Sequence, residues 1–143
     1  MQLHKMVPVV VLIGCTTPNV VPTSGSARFS EYPQDLFAAI QASCAGPAQS
    51  FSQPTRDSVE CAEFMPPEIT AAMILNYDGT PEELPRLVIR FSAQKNEPGY
   101  LVHNDIFVNV PQKQGADRQV RMPDPKINRR LNMLYKHAGG VPE

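Results

Sequence analysis

An α+β domain is the fold class this sequence predicts: one antiparallel sheet of three to four strands flanked by an N-terminal and a C-terminal helix. Three observations predict it. Leu36, Phe37, Ile40 and Cys44 recur at helical spacing early in the chain. Ile127, Leu131, Leu134, Tyr135 and Ala138 form a stronger helical stripe near its end. Between them, two alternating runs flank Asn96-Glu97-Pro98-Gly99, the pattern of a β-hairpin.

The chain has 143 residues, enough for one domain with a real core and a leader. Lys and Arg total 13 against 14 Asp and Glu, so the net charge argues against a nucleic-acid partner. No phosphate loop and no aromatic–basic RNA signature occurs. The 15 prolines separate the apolar runs and act as punctuation, not as a disordered tract.

The N-terminus carries one cation, Lys5, beside His4, then an apolar run from Val7 to Ile13 interrupted by Pro8. A transmembrane helix needs about 20 apolar residues, and this run is far shorter; it fits a secretory signal peptide. The run ends in Leu12-Ile13-Gly14-Cys15, which resembles the lipobox of bacterial lipoproteins. The resemblance covers the first 15 residues and not the domain after them. It implies a diacylglycerol on the Cys15 thiol, cleavage before Cys15, and an acyl chain such as palmitate on the new amine. Residues 1–14 would then be the signal peptide, 15–28 a lipid-anchored flexible tether, and 29–143 the single α+β domain. Small, polar, proline-broken residues from Thr16 to Ala27 have little to bury and fit a tether. Thr16, in place of aspartate, resembles lipoproteins sent to the outer membrane, where the domain would face the periplasm.

With Cys15 committed to lipid, Cys44 and Cys61 remain as a pair. In an oxidising compartment such a pair is expected to form a disulfide. Without a CxxC or an adjacent histidine it offers no metal site, and no cofactor is implied.

The first helix is expected from Pro33 to Ala45, with proline in its first turn and Gly46-Pro47 after it. Ala48 to Thr55 is expected as a loop. Ser58 to Phe64 alternates as a strand, with Val59 and Cys61 on one face, and Pro66-Pro67 ends it. Ile69 to Tyr77 fits both periods; the Asp78-Gly79 turn after it favours a strand. Thr80-Pro81-Glu82-Glu83 matches a capping box and predicts a single helical turn. Leu87 to Ala93 and Tyr100 to Val110 form the hairpin, and Arg118 to Met122 adds a short edge strand. Asp124-Pro125 opens the last helix as N-cap and first helical residue; Lys136, His137 and Gly139 suit its end.

Candidate chemistry is sparse. His103 and Asp105 share one side of a strand and could form a base with its orienter, but no Ser or Cys elbow accompanies them. Asp57, Glu60, Glu63 and Glu68 form an acidic run that fits no calcium loop. Lys126, Arg129, Arg130 and Lys136 make the C-terminal helix basic. Such a face could meet anionic lipid or a phosphorylated surface, though a solvated face is the simpler account. Leu101 and Phe107 give the hairpin an apolar side. The expected function is therefore a non-enzymatic, lipid-anchored periplasmic module that binds another envelope protein. Its interaction surface would draw on Leu101, His103, Phe107, Arg129 and Arg130. The alternatives are a small envelope hydrolase using His103 and Asp105, or an inhibitor of a periplasmic enzyme.

Overall fold

A computed structural model describes residues 24–143. The residues assigned to a signal peptide, Cys15 and most of those assigned to a tether lie outside them. In chain order the elements are β1 (Ser24–Phe29), α1 (Gln34–Ser43), β2 (Gln49–Thr55), β3 (Ser58–Phe64) and α2 (Pro67–Asn76). There follow β4 (Arg86–Asn96), β5 (Gly99–Val110), β6 (Arg118–Val120), α3 (Pro125–His137) and β7 (Val141–Pro142). The strands form one 7-stranded sheet in the order β2-β3-β4-β5-β1-β7, with β6 also paired to β5. All the pairings are antiparallel.

The long hairpin is the centre of this sheet. β4 and β5 pair from Arg86↔Asn109 to Asn96↔Gly99. Gly99 has to be glycine, because a Cβ there would lie 2.1 Å from the Phe29 carbonyl oxygen. β5 is long enough to hold two partners on its far side. β1 pairs with its first half, from Phe29↔Tyr100 to Ser24↔Asp105, and β6 pairs with its last three residues.

One face of the sheet carries the helices. Ala27, Phe29, Val59, Phe91, Val102 and Ile106 meet Leu36, Phe37 and Ile40 of α1 and Leu131 and Tyr135 of α3 in one buried cluster. A smaller cluster joins Met73 of α2 to Val108, Val110 and Val120. Tyr135 is fully buried and stands edge-on to Phe29 at 6.3 Å and Phe91 at 6.0 Å. Its hydroxyl donates to Asn104 Oδ1 at 2.8 Å, which places a polar pair inside the apolar core. A disulfide links Cys44, the residue that closes α1, to Cys61 of β3 with their Cα atoms 5.8 Å apart. On the loop-entropy account a staple across 17 residues stabilises the fold by about 3 kcal/mol.

The class, the antiparallel sheet, the two terminal helices and the hairpin agree with expectation. The sheet is larger than the three to four strands expected, and there are three helices. The two-residue β7 and three longer segments account for the difference. Ser24–Phe29 begins within the stretch assigned to the tether and is a strand. Its small residues suit a close approach: Ala27 is wholly buried, and a Cβ on Gly25 would sit 3.1 Å from Asn104 Oδ1. Gln49–Thr55, expected as a loop, is an edge strand whose polar side chains are mostly exposed. Its proline and a register shift between Ser52 and Thr55 blunt the edge against further pairing.

Of Ile69 to Tyr77, assigned to a strand, all but Tyr77 belong to α2 instead, and Tyr77 closes that helix. Thr70, Met73 and Tyr77 turn inward at helical spacing, while Ile69 and Leu75 are exposed. Pro67 opens the helix, and the Thr70 hydroxyl donates to the Met65 carbonyl at 3.1 Å. The single turn expected at 80–83 is a bend in which the Thr80 hydroxyl bonds the Glu82 carboxylate.

Candidate functional site

The sheet face opposite the helices carries the hairpin residues singled out above. Because side chains alternate along a strand, Leu101, His103, Asp105, Phe107 and Asn109 of β5 share it with Val88, Arg90 and Ser92 of β4. Neither buried cluster includes a residue of this face. It therefore has no helical cover among the described residues.

Phe107 is nevertheless only 2% exposed. Val88 stands opposite it on β4, and two guanidinium groups cover the ring. Arg90 Cζ lies 5.1 Å from the ring centroid and Arg121 Cζ lies 5.4 Å from it. Each cation is held by a carboxylate. Arg90 Nε donates to Glu60 at 2.6 Å. Arg121 donates to both oxygens of Asp105, at 2.9 and 2.6 Å, and to Gln119 at 3.0 Å. The Asp105 bonds raise the Arg121 pKa further above its already high value. Arg86 repeats the device nearby, with its guanidinium 4.2 Å above Phe64. At the edge near the C-terminus, Arg28 donates to Glu143 at 3.0 Å and to Asn96 at 3.1 Å.

These bonds decide how His103 is read. Both Asp105 oxygens accept from Arg121, and no hydrogen bond joins Asp105 to His103 among the described residues. The ring of His103 is exposed, and its cross-strand neighbours are Ser92 and Ser26. The acidic run is divided in the same way. Glu60 belongs to the open face and pairs with Arg90, whereas Glu63 points to the helix side and accepts from Gln49 at 3.3 Å. No group of three or more metal-ligating side chains occurs among the described residues.

Arg129 and Arg130 lie elsewhere. They project from the outer face of α3, on the helix side of the sheet, with Lys126, Asn132, Met133 and Lys136. The candidate residues thus form two surfaces on opposite sides of the domain. Leu101, His103 and Phe107 belong to one, and Arg129 and Arg130 to the other.

The sequence did not reveal the pairing of Arg121 with Asp105 or the cover over Phe107. Alternation placed Phe107 on the open side, but Arg90 above it depends on the register of the hairpin, and Arg121 on how β6 joins β5. Two apolar hollows complete the surface. One, of about 160 Å³, lies between α1 and α3 against Cys61, Ile89 and Phe91. The other runs between α2 and the start of α3, past Met65, Ile69, Met122 and Ile127. No helix among the described residues is long and apolar enough to cross a membrane.

The site and the fold define an α+β protein with one antiparallel sheet, three helices on one face and an arginine-covered opposite face. No family model matches the chain, and neither a curated protein nor a solved structure is significantly similar to it.

Proposed function

We propose that the chain is a lipid-anchored lipoprotein of the bacterial envelope whose domain binds another envelope protein by surface contact, without catalysis. The anchor rests on Leu12-Ile13-Gly14-Cys15 and the short apolar run before it. The disulfide between Cys44 and Cys61 fits export to an oxidising compartment. The observation that carries the binding mode is the helix-free sheet face, on which His103 is exposed and Leu101 half-buried beside a covered Phe107. Recruitment of an extended partner by the hairpin edge does not fit, because β4 and β5 both lie inside the sheet. That Asp105 pairs with Arg121 and makes no hydrogen bond to His103 supports binding over general-base catalysis. The outer membrane, facing the periplasm, is the location the residue after Cys15 favours.

Two measurements test the proposal. A fatty-acid analogue should label the wild type and not Cys15→Ser, and equal labelling of both removes the anchor. In a strain where deletion has a phenotype, His103→Ala should complement fully, whereas Leu101→Glu should lose the partner captured from solubilised envelopes. Loss of function in a stably folded His103→Ala that still captures the partner would replace binding with catalysis.

A further inference from the structure

We infer that the outer face of α3 is a docking surface for anionic phospholipid headgroups, and that it lays the domain against the bilayer that holds it. Lys126, Arg129, Arg130, Met133 and Lys136 fall at successive turns of one side of the helix. All are exposed, while Ile127, Leu131, Leu134, Tyr135 and Ala138 face the core. The helix contains no aspartate or glutamate. Among the described residues none of the four cations makes an ion pair, although Arg28, Arg90 and Arg121 all do. Met133, 54% exposed, supplies an apolar side chain in the middle of the cationic row. A row of cations around an exposed apolar residue on one helix is the chemistry of an interfacial surface.

The path of the chain agrees with this occupant. β1 begins at Ser24, opposite Asp105, and Asp105 is bound by Arg121 just before α3 starts. The chain therefore enters the domain at the end where α3 begins. Eight residues separate Cys15 from Ser24, and an extended chain of that length reaches about 30 Å. The helix layer to be passed is about 10–12 Å thick, so the anchor and the outer face of α3 can share one membrane surface. This inference rests on the proposed lipid anchor for its setting, but its test does not need the anchor.

The test uses the full chain carrying Cys15→Ser, so that acyl groups take no part. It is sedimented with vesicles of phosphatidylcholine containing about one-third phosphatidylglycerol, and with vesicles of phosphatidylcholine alone. The expected result is binding to the anionic vesicles only, weakening as salt is raised. Each cation near such a surface strengthens binding about fivefold, so Arg129→Gln with Arg130→Gln should weaken it about 30-fold. Thermal unfolding should show the double variant as stable as its parent. Equal binding by the parent and the double variant overturns the inference. So does equal binding to both vesicle types, which would assign association to the apolar N-terminal stretch. Absence of binding by the folded protein overturns it too, and leaves α3 to a protein partner. Failure of fatty-acid labelling would remove the anchor alone, since the vesicle comparison is read without it.

Discussion

The open sheet face and the outer face of α3 are both rich in cations, and they use them in opposite ways. On the sheet, Arg90 and Arg121 are each bound to a carboxylate and lie over Phe107. Their charge is answered inside the domain, and their planar groups serve as a lid on apolar surface. On α3, Lys126, Arg129, Arg130 and Lys136 project with no ion pair among the described residues. No carboxylate among the described residues pairs with them. Arginine content alone therefore does not mark a binding face; what marks it is charge that the fold leaves unanswered. The chain's net charge of −1 hides this difference, because none of the carboxylates belongs to α3.

The comparison predicts that changes on the sheet face alter stability and leave membrane association alone. The largest effect belongs to Phe107. Phe107→Ala should lower the free energy of unfolding by about 3 kcal/mol, because it empties space under two immobilised side chains. Urea unfolding followed by circular dichroism reads it. Arg90→Ala should cost less, about 1 kcal/mol, by exposing one side of the ring and leaving Glu60 unpaired. The two effects should fall short of additive, since both remove the same cation–ring contact. Full additivity would mean that the guanidinium does not cover Phe107 in solution.

A buried group sharpens the comparison from the other side of the sheet. Tyr135 donates to Asn104 Oδ1, and Asn104 Nδ2 has no hydrogen-bond partner among the described residues. Tyr135→Phe would leave the amide oxygen unanswered as well and should cost about 2 kcal/mol at neutral pH. Burial pushes the Tyr135 hydroxyl well above its ordinary pKa. A raised folded-state pKa gives stability that is complete below the unfolded value of 10.0 and is lost as pH rises through and beyond it. The wild type should therefore lose stability steeply above about pH 10, and Tyr135→Phe should flatten that decline. Unfolding midpoints measured across the alkaline range check it, and equal slopes for the two proteins would contradict the burial of the hydroxyl.

How much was legible beforehand follows from which contacts each element makes. The hairpin was legible because its alternation is strict and its turn residues are explicit. The last helix was legible because five apolar residues repeat at helical spacing and Asp124 caps it, accepting from Lys126 N at 2.8 Å. β1 was not, because close packing against Asn104 requires small residues, and small residues also compose a tether. β2 was not, because an edge strand leaves most of its side chains to solvent. α2 buries only Thr70 and Met73, so its alanines and exposed apolar residues satisfied either period. Of the candidate surface, the sequence placed Leu101, His103 and Phe107 on one side of one strand. It could not show that Asp105 was already spent, because that depends on Arg121, 16 residues further along.

The smallest expected effect on stability is the one that most directly tests the contrast. Arg129→Gln and Arg130→Gln, made together, should change the free energy of unfolding by less than about 0.5 kcal/mol. Both side chains are exposed and neither has an ion pair among the described residues, so their removal breaks nothing the fold uses. Glutamine keeps the straight stem and a helix propensity close to that of arginine. Relief of repulsion within a row of four cations could even raise stability slightly, and most visibly at low salt. Urea unfolding at two salt concentrations reads both parts of the expectation. A loss above 1 kcal/mol would mean that the two arginines are bound within the domain as Arg90 and Arg121 are. The distinction between the two cationic faces would then disappear, and with it the reason to place the membrane against α3.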